Sequence, residues 1–391
     1  MTGMHKTEIM KIAFVCGSVE PGKDGVGDYV KQLASALQQS GHHVYVIALN
    51  DAYVQTYSAE TPQSGSGSIP FYRIPAVFAH KSRKAQLVSI LSEIQADWVS
   101  FQFVPYAFDP KGLPFRLPAL LRHPQLSDLK WHIMFHELWL GISTVSPLKH
   151  KLIGAFQKYI IRRLIKSLKP EFISTSNILY QNTLKKSGIE ADVLPLFSNI
   201  AVHKPDIKYV QEVLQSCGID DDNRNAWKIF CIFGSIYPAS RLESAFDEIC
   251  RENPHKQLLV LGMGRYSAWA SGEFERLKAM FSDRIKFHHL GVLDEVHISS
   301  ILQNVDVGIS CTPLEHIGKS GVYAAFKLHG LEVYVSNRDT IPEFKGEVER
   351  KYAEFSANLP ETWSVRSVAG QFSEKLTKEL IKKKDLKNKI H

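Results

Sequence analysis

The stretch from Cys311 to Gly330 carries the densest set of groups able to do chemistry. Glu315 stands just past a short apolar run, and Gly318, Lys319, Ser320 and Gly321 then open an apolar helical pattern. Free amides at a helix start, a hydroxyl and an ammonium gathered at one point suit a leaving diphosphate. The bland alternative is an ordinary Ser-Gly helix start beside an exposed lysine. Further upstream, Gly234 and Ser235 end another apolar run, and Arg241 heads the helical pattern after it, where a guanidinium fork can grip phosphate. Gly262 with Gly264, and Gly291 with Val292, close two more runs and can bring backbone groups close to a ligand. A glycine pair taken alone is a weak signal.

The first half offers a second group. Gly25, Val26 and Gly27 sit just before a helical pattern, where amides can cradle an anion or simply turn the chain. Gln102 lies near the end of an apolar run, and His136 and Glu137 follow another. A lone histidine there is either a satisfied core residue or a group at a ligand. His132 and His136 share a strand face, but no third ligand stands at metal spacing, so no metal is expected. Asp220–Asn223 precedes a strand rather than ending one and reads as a solvated turn.

These residues need strands that end in loops, and the chain supplies them in two series. Short apolar runs at 11–17, 42–49, 97–103, 131–135, 171–175 and 192–196 alternate with helical patterns, among them 148–168 and 177–187. Residues 54–68 are polar and Gly/Ser-rich and read as a mobile loop, and the rhythm pauses over 197–208, taken as an interdomain linker. It restarts with runs at 228–234, 256–262, 284–291, 306–310 and 332–336. Two series of βα units predict an α/β chain with two Rossmann-like, doubly wound domains facing a central cleft. The expected division is 1–200 for the acceptor, 201–360 for the donor, and 361–391 as a C-terminal helix that packs back on the first domain.

Composition narrows the class. The 391 residues are 44% hydrophobic and 22% charged, and the net charge is +7, too mild for a dedicated nucleic-acid binder. Five dispersed cysteines without a C-x-x-C point to free thiols in a reducing compartment. Residues 1–10 lack the apolar core of a signal peptide, and no run approaches a membrane span, so a cytoplasmic protein is expected. The cations gather in the 148–168 helix and the C-terminal tail. That helix is either core-packed with a solvated basic face or a peripheral contact to the inner face of a membrane.

With these segments in hand, the chain resembles the GT-B glycosyltransferases of retaining family 4 over nearly its whole length. The Gly25–Leu49 segment is similar to the family's opening loop, helix and strand, and Ser100–Phe108 to one that carries a glutamine at a strand end, here Gln102. His136 falls where the family has a histidine near the transferred sugar, and Ile232–Phe246 resembles the segment that binds donor phosphates. The clearest likeness is His289–Ser310, similar to the base-side loop and the helix and strand after it. Two positions depart: Ser235 replaces the usual arginine, with the usual lysine falling at Ser240 or Arg241, and a second family glutamate would fall on Tyr323 or Ala325. The resemblance implies a nucleoside-diphosphate-sugar as co-substrate with no cofactor, and a saccharide or lipid-linked acceptor in glycan biosynthesis. Retention and metal independence are implied with it. Glu315 and His136 would be catalytic. Gly234, Ser235, Arg241, Gly262, Gly264, Gly291, Val292, Gly318, Lys319, Ser320 and Gly321 would bind donor. Gly25, Val26, Gly27, Gln102 and Glu137 would line the acceptor side. The alternatives are a non-catalytic nucleotide-binding relative or another GT-B enzyme such as a sugar-nucleotide epimerase.

Overall fold

The computed structural model describes residues 8–61 and 69–388. Residues 1–7 of the N-terminus, 62–68 of the expected polar loop and 389–391 of the basic tail lie outside the described residues. The chain divides into two compact units: one runs to Pro195 and resumes at Val365, and the other is Leu196–Ser364.

Unit one is built on eight strands: β1 (Lys11–Cys16), β2 (His43–Asp51), β3 (Ser58–Glu60), β4 (Phe71–Pro75), β5 (Trp98–Phe103), β6 (Lys130–Phe135), β7 (Phe172–Thr175) and β8 (Asp192–Val193). Their order is β3-β4-β2-β1-β5-β6-β7-β8, parallel throughout except for β3 against β4. Every residue of β5 is buried, as a parallel strand covered on both faces requires. The covering helices are α1 (Gly25–Gln39), α2 (His80–Ile94), the short α3 (Pro105–Phe108) and α4 (Leu117–Leu121), α5 (Leu148–Leu168) and α6 (Ile178–Lys185). α1 turns Tyr29, Val30, Leu33, Ala34 and Leu37 inward, the spacing of one helical face. Strand order reverses between β1 and β5, so the crevice for a ligand opens past the carboxyl ends of those strands.

Unit two has five strands, all parallel: β9 (Trp227–Phe233), β10 (Gln257–Met263), β11 (Ile285–His289), β12 (Val307–Ser310) and β13 (Glu332–Val335), in the order β11-β10-β9-β12-β13. Its helices are α7 (Ile207–Ser216), α8 (Leu242–Glu252), α9 (Ala268–Met280), α10 (Glu295–Leu302), α11 (Gly321–Leu328) and α12 (Glu347–Ser356). Here the order reverses between β9 and β12. The last helix, α13 (Val365–Asn388), belongs to unit one and packs on α1. Its Phe372 lies 6.0 Å from Phe14 and 5.0 Å from His132 between ring centres, and Ser373 bonds His42 at 2.8 Å.

Three local expectations change. Part of the polar 54–68 segment, Ser58–Glu60, is an antiparallel edge strand on β4. Its three residues, Ser58, Ala59 and Glu60, are too few to leave a periodic signal to read. The 197–208 segment is not a free linker: Ala201, His203 and Asp206 donate their amides to Glu295, Ser299 and Ser300 of α10 at 2.8, 3.0 and 2.8 Å. Those bonds fasten it to unit two. The strand expected over 192–196 is only the two residues of β8. Asp220 and Asn223 bond each other's backbone across a turn, at 3.0 and 3.1 Å.

Candidate functional site

In unit two the reversal between β9 and β12 gathers four chain segments. Gly234 follows β9 with φ +84°, and its amide donates to the Met263 carbonyl at 3.0 Å. Gly264 follows β10 with φ +109°, a conformation open to glycine, and its amide donates to the Gly291 carbonyl at 2.8 Å. A Cβ on Gly264 would lie 3.4 Å from the Gly234 nitrogen, and one on Gly234 would lie 3.1 Å from Val322 Cγ2. Gly234, Gly264, Gly291 and the first turn of α11 therefore touch in sequence around one point at the strand ends. The Gly234 and Gly264 amides are spent inside this ring, so these glycines give close approach rather than hydrogen bonds.

The donors come from α11. Ser320 caps this helix: its Oγ accepts from the Tyr323 amide at 3.2 Å and from Thr312 Oγ1 at 3.1 Å. The Gly321 and Val322 amides precede the capped one and point out of the helix start, where the backbone dipole favours an anion. The Ser320 hydroxyl, expected to meet the ligand, is thus occupied in holding the helix.

Glu315 lies in the turn before α11, half-buried. Its Oε2 accepts from the Ile341 amide at 2.7 Å, and His316 Nε2 stands 3.5 Å from Oε1. Burial, opposed by the Ile341 hydrogen bond and reinforced by Glu343, raises its pKa above the usual carboxylate range. Burial first, and then Lys319, pushes the His316 imidazole down to about 4, so it is neutral at pH 7. Gly318 and Lys319 complete the turn that delivers Ser320 to the cap.

Arg241 takes a different place from the one its sequence suggests. It heads α8 with φ +51° and ion-pairs with Asp339, both side chains more than half exposed. Such a pair contributes about 0–1 kcal/mol and opens readily. Arg241 also lines a small hollow of ≈ 200 Å³ with Tyr237, Ser240, Glu243 and Arg276. That volume is below the roughly 300 Å³ of ordinary ligand pockets. The segment is tied to the Glu315 loop through Asn337, whose Nδ2 donates to Ala239 O at 2.8 Å and whose carbonyl accepts from Leu314 N at 3.1 Å. Ser235 and Val292 are exposed. Gly262 is a packing glycine inside β10: a Cβ there would meet Tyr266 Oη at 2.7 Å and Phe274 at 3.0 Å. Tyr266 stacks on His289 with ring centres 4.3 Å apart and an interplanar angle of 14°, a flat aromatic pair beside Gly264 that sequence reading missed.

In unit one the Gly25–Gly27 turn is already filled. Asp24 Oδ1 accepts from the Val26 and Gly27 amides at 2.9 and 3.1 Å, and Asp28 accepts from Gly22 at 3.0 Å. The chain's own carboxylates thus take the place expected for an anion. Gly27 serves close packing: a Cβ would fall 2.5 Å from the Ser18 carbonyl oxygen.

His136 follows β6 and heads a buried relay. Its Nε2 donates to Gln102 Oε1 at 2.8 Å, Gln102 Nε2 donates to Ser100 Oγ at 2.7 Å, and Ser100 Oγ donates to His132 Nδ1 at 2.8 Å. Register places Ser100 beside His132 and Phe103 beside Phe135, which aligns the four side chains on neighbouring strands. Gln102 is 1% exposed, so it orients His136 rather than lining a surface. Tyr29 of α1 stands edge-on to His136 at 5.0 Å. Burial, with His136 as the next cause, pushes His132 down to about 3 and keeps it neutral. Glu137, next in chain, is half-buried. Among the described residues no group of three or more His, Cys, Asp or Glu could hold a metal ion.

No family model matches the chain, and no curated protein matches it in sequence. Solved structures match over nearly its full length. The trehalose 6-phosphate synthase of Burkholderia multivorans is 11% identical, with a TM-score of 0.55 over 97% of this chain and 99% of its own. A glycosyltransferase of Rickettsia africae is 10% identical, with a TM-score of 0.55 over 95% and 99%. HepE of Anabaena, solved with UDP, is 14% identical, with a TM-score of 0.50 over 97% and 100%. At these identities the likeness is one of fold, and the fold is GT-B, two Rossmann-like units.

Proposed function

We propose that the protein is a glycosyltransferase: unit two holds a nucleoside-diphosphate sugar, and unit one takes the acceptor, a saccharide or a lipid-linked sugar. The observation that carries this reading is the ring of Gly234, Gly264, Gly291 and Val322 at the strand reversal of unit two. It leaves bare backbone around the start of α11, where the Gly321 and Val322 amides face outward. A diphosphate set there gains two amide bonds and the helix dipole, with Lys319 adjacent in chain. The UDP in the HepE structure supports a donor of this class.

In the reaction the bond from the anomeric carbon to the diphosphate breaks and a bond to an acceptor oxygen forms. The acceptor's proton passes to the departing phosphate oxygen, which keeps the anomeric configuration. The amides and Lys319 stabilise the charge that grows on the diphosphate. Glu315 accepts from sugar hydroxyls, and Gly291 and Val292 border the base. His136, oriented by Gln102, steadies the acceptor. Arg241 joins the phosphates once it leaves Asp339, and no metal is required.

One observation favours a second reading, a nucleotide-binding relative without turnover. The positions of the missing family glutamate, Tyr323 and Ala325, are buried, and Tyr323 lies edge-on to Trp363 at 5.5 Å. This helix therefore offers the donor ribose no carboxylate. Incubation with a panel of nucleotide sugars, following nucleoside diphosphate release with and without chelator, separates the two. Turnover that survives chelator and falls with Lys319→Ala supports the transferase; nucleotide binding with no turnover on any donor supports the second reading.

A further inference from the structure

Helix α5 has two apolar faces, and only one is buried. Ile161, Leu164 and Leu168 enter the core of unit one. On the opposite side Leu148, Leu152, Phe156 and Tyr159 follow at helical spacing, 82%, 61%, 47% and 52% exposed. Val145, just before the helix, and Phe115, edge-on to Phe156 at 6.1 Å, extend the stripe. Exposed apolar residues scattered singly are ordinary, but a contiguous stripe marks a partner. The sequence shows cations and apolar residues mixed along this helix; the structure sorts them, with Ile160 inward and Leu152 and Phe156 outward.

Charge identifies the partner. From Leu138 to Pro170 the chain has no Asp or Glu, while Lys149, Lys151, Arg162, Arg163 and Lys166 are all exposed along the helix. A second copy of this chain would bring the same cations face to face, a repulsive arrangement. An apolar stripe bordered by cations alone matches an anionic lipid surface, with the side chains entering the acyl boundary and the charges meeting headgroups. No described helix is long and apolar enough to cross a membrane, so the contact is one of lying on the surface.

We propose that the outer face of α5 docks the protein on an anionic lipid bilayer. The loop from His136 to α5 crosses this helix at Gly154, where a Cβ would fall 1.8 Å from the Leu140 carbonyl oxygen, and Leu140 N donates to Gln157 Oε1 at 2.8 Å. Gly154 and Gln157 lie on the buried inner face of α5, so docking places the loop that carries His136 behind the helix, on the side away from the lipid. The inference stands apart from the transferase reading, because lipid binding is read without turnover.

The test is co-sedimentation of the full chain with vesicles of phosphatidylcholine alone and of phosphatidylcholine with phosphatidylglycerol, at low and high salt. The protein is expected to bind the anionic vesicles and to lose affinity as salt rises. The double variant Leu152→Ser with Phe156→Ser is expected to partition at least about tenfold more weakly. Lys149→Gln and Lys151→Gln are each expected to cost about fivefold at low salt. Circular dichroism and thermal melting check that each variant keeps its fold. The proposal is overturned by no binding to anionic vesicles at low salt, or by variants that bind as the parent does. It is also overturned if sedimentation velocity shows the stripe mediating self-association while vesicle binding is absent.

Discussion

Two glycines in the same helical turn should respond to alanine in opposite ways. Gly25 and Gly27 both lie in the first turn of α1, and neither has a positive φ. A Cβ on Gly25 meets nothing within 4 Å, whereas one on Gly27 would sit 2.5 Å from the Ser18 carbonyl oxygen and 3.0 Å from Val19 Cα. Helix propensity favours alanine over glycine by up to about 1 kcal/mol. At Gly25 that gain stands. At Gly27 it is opposed by overpacking against backbone, which costs about 1–3 kcal/mol and has no flexible side chain to absorb it. Gly27→Ala should therefore be less stable than Gly25→Ala by about 1–3 kcal/mol, about 2–12 °C in the melting of a unit this size. Calorimetry gives the transition, and hydrogen exchange over residues 11–40 assigns the loss to unit one, since two units need not melt together. Because Tyr29 stands edge-on to His136, turnover should fall with Gly27→Ala and hold with Gly25→Ala. Equal stability of the two variants, both above the parent, would refute the close approach of α1 to the loop after β1.

The His136 relay predicts that Gln102→Leu removes one hydrogen bond from His136 Nε2 and one from Ser100 Oγ; it should cost about 1–3 kcal/mol and lower turnover at saturating donor at least about tenfold, read by melting and initial rates. His132, held near 3 in the folded chain against about 6.5 unfolded, makes the unfolded state the better proton binder between those values. Stability should thus fall as pH drops below about 6.5, by up to about 1.4 kcal/mol per unit. His316, half-buried, acts with the same sign, so His132→Gln should flatten the decline in melting temperature between pH 7 and 5 without abolishing it; an unchanged slope counts against the assignment. Glu315, raised chiefly by burial, should lose its charge at higher pH than an ordinary glutamate. The acid limb of the rate should lie correspondingly high and vanish in Glu315→Gln.

Much of the frame was legible because parallel strands leave near-continuous apolar runs that end in glycine. Gly234, Gly264 and Gly291 mark those ends, and their backbone angles explain why glycine stands there. The edge strand β3 was hidden because three residues on an antiparallel edge, Ser58, Ala59 and Glu60, are too few to carry a periodicity. The Asp24 cap had a readable signal, an aspartate just ahead of a helical pattern, yet the glycines beside it suggested an open anion site. The relay from His136 to His132 needed strand register, though Ser100 and Gln102 are polar residues two apart in an apolar run and so share one face. Arg241 could not be placed by sequence because its partner, Asp339, is distant in the chain.

The most direct test of the donor site is the affinity of UDP for the parent and for Gly321→Pro, measured by titration calorimetry. Proline is tolerated at the first position of a helix and removes only its N–H. The preceding Ser320, at φ −96° and ψ 108°, already has the extended backbone that proline demands. Loss of one charge-assisted amide bond should weaken UDP about 10- to 150-fold, from about 1.5–3 kcal/mol, with the melting temperature of the free protein unchanged. UDP binding of equal strength in the two proteins, with α11 intact, would contradict a diphosphate seated at this helix start.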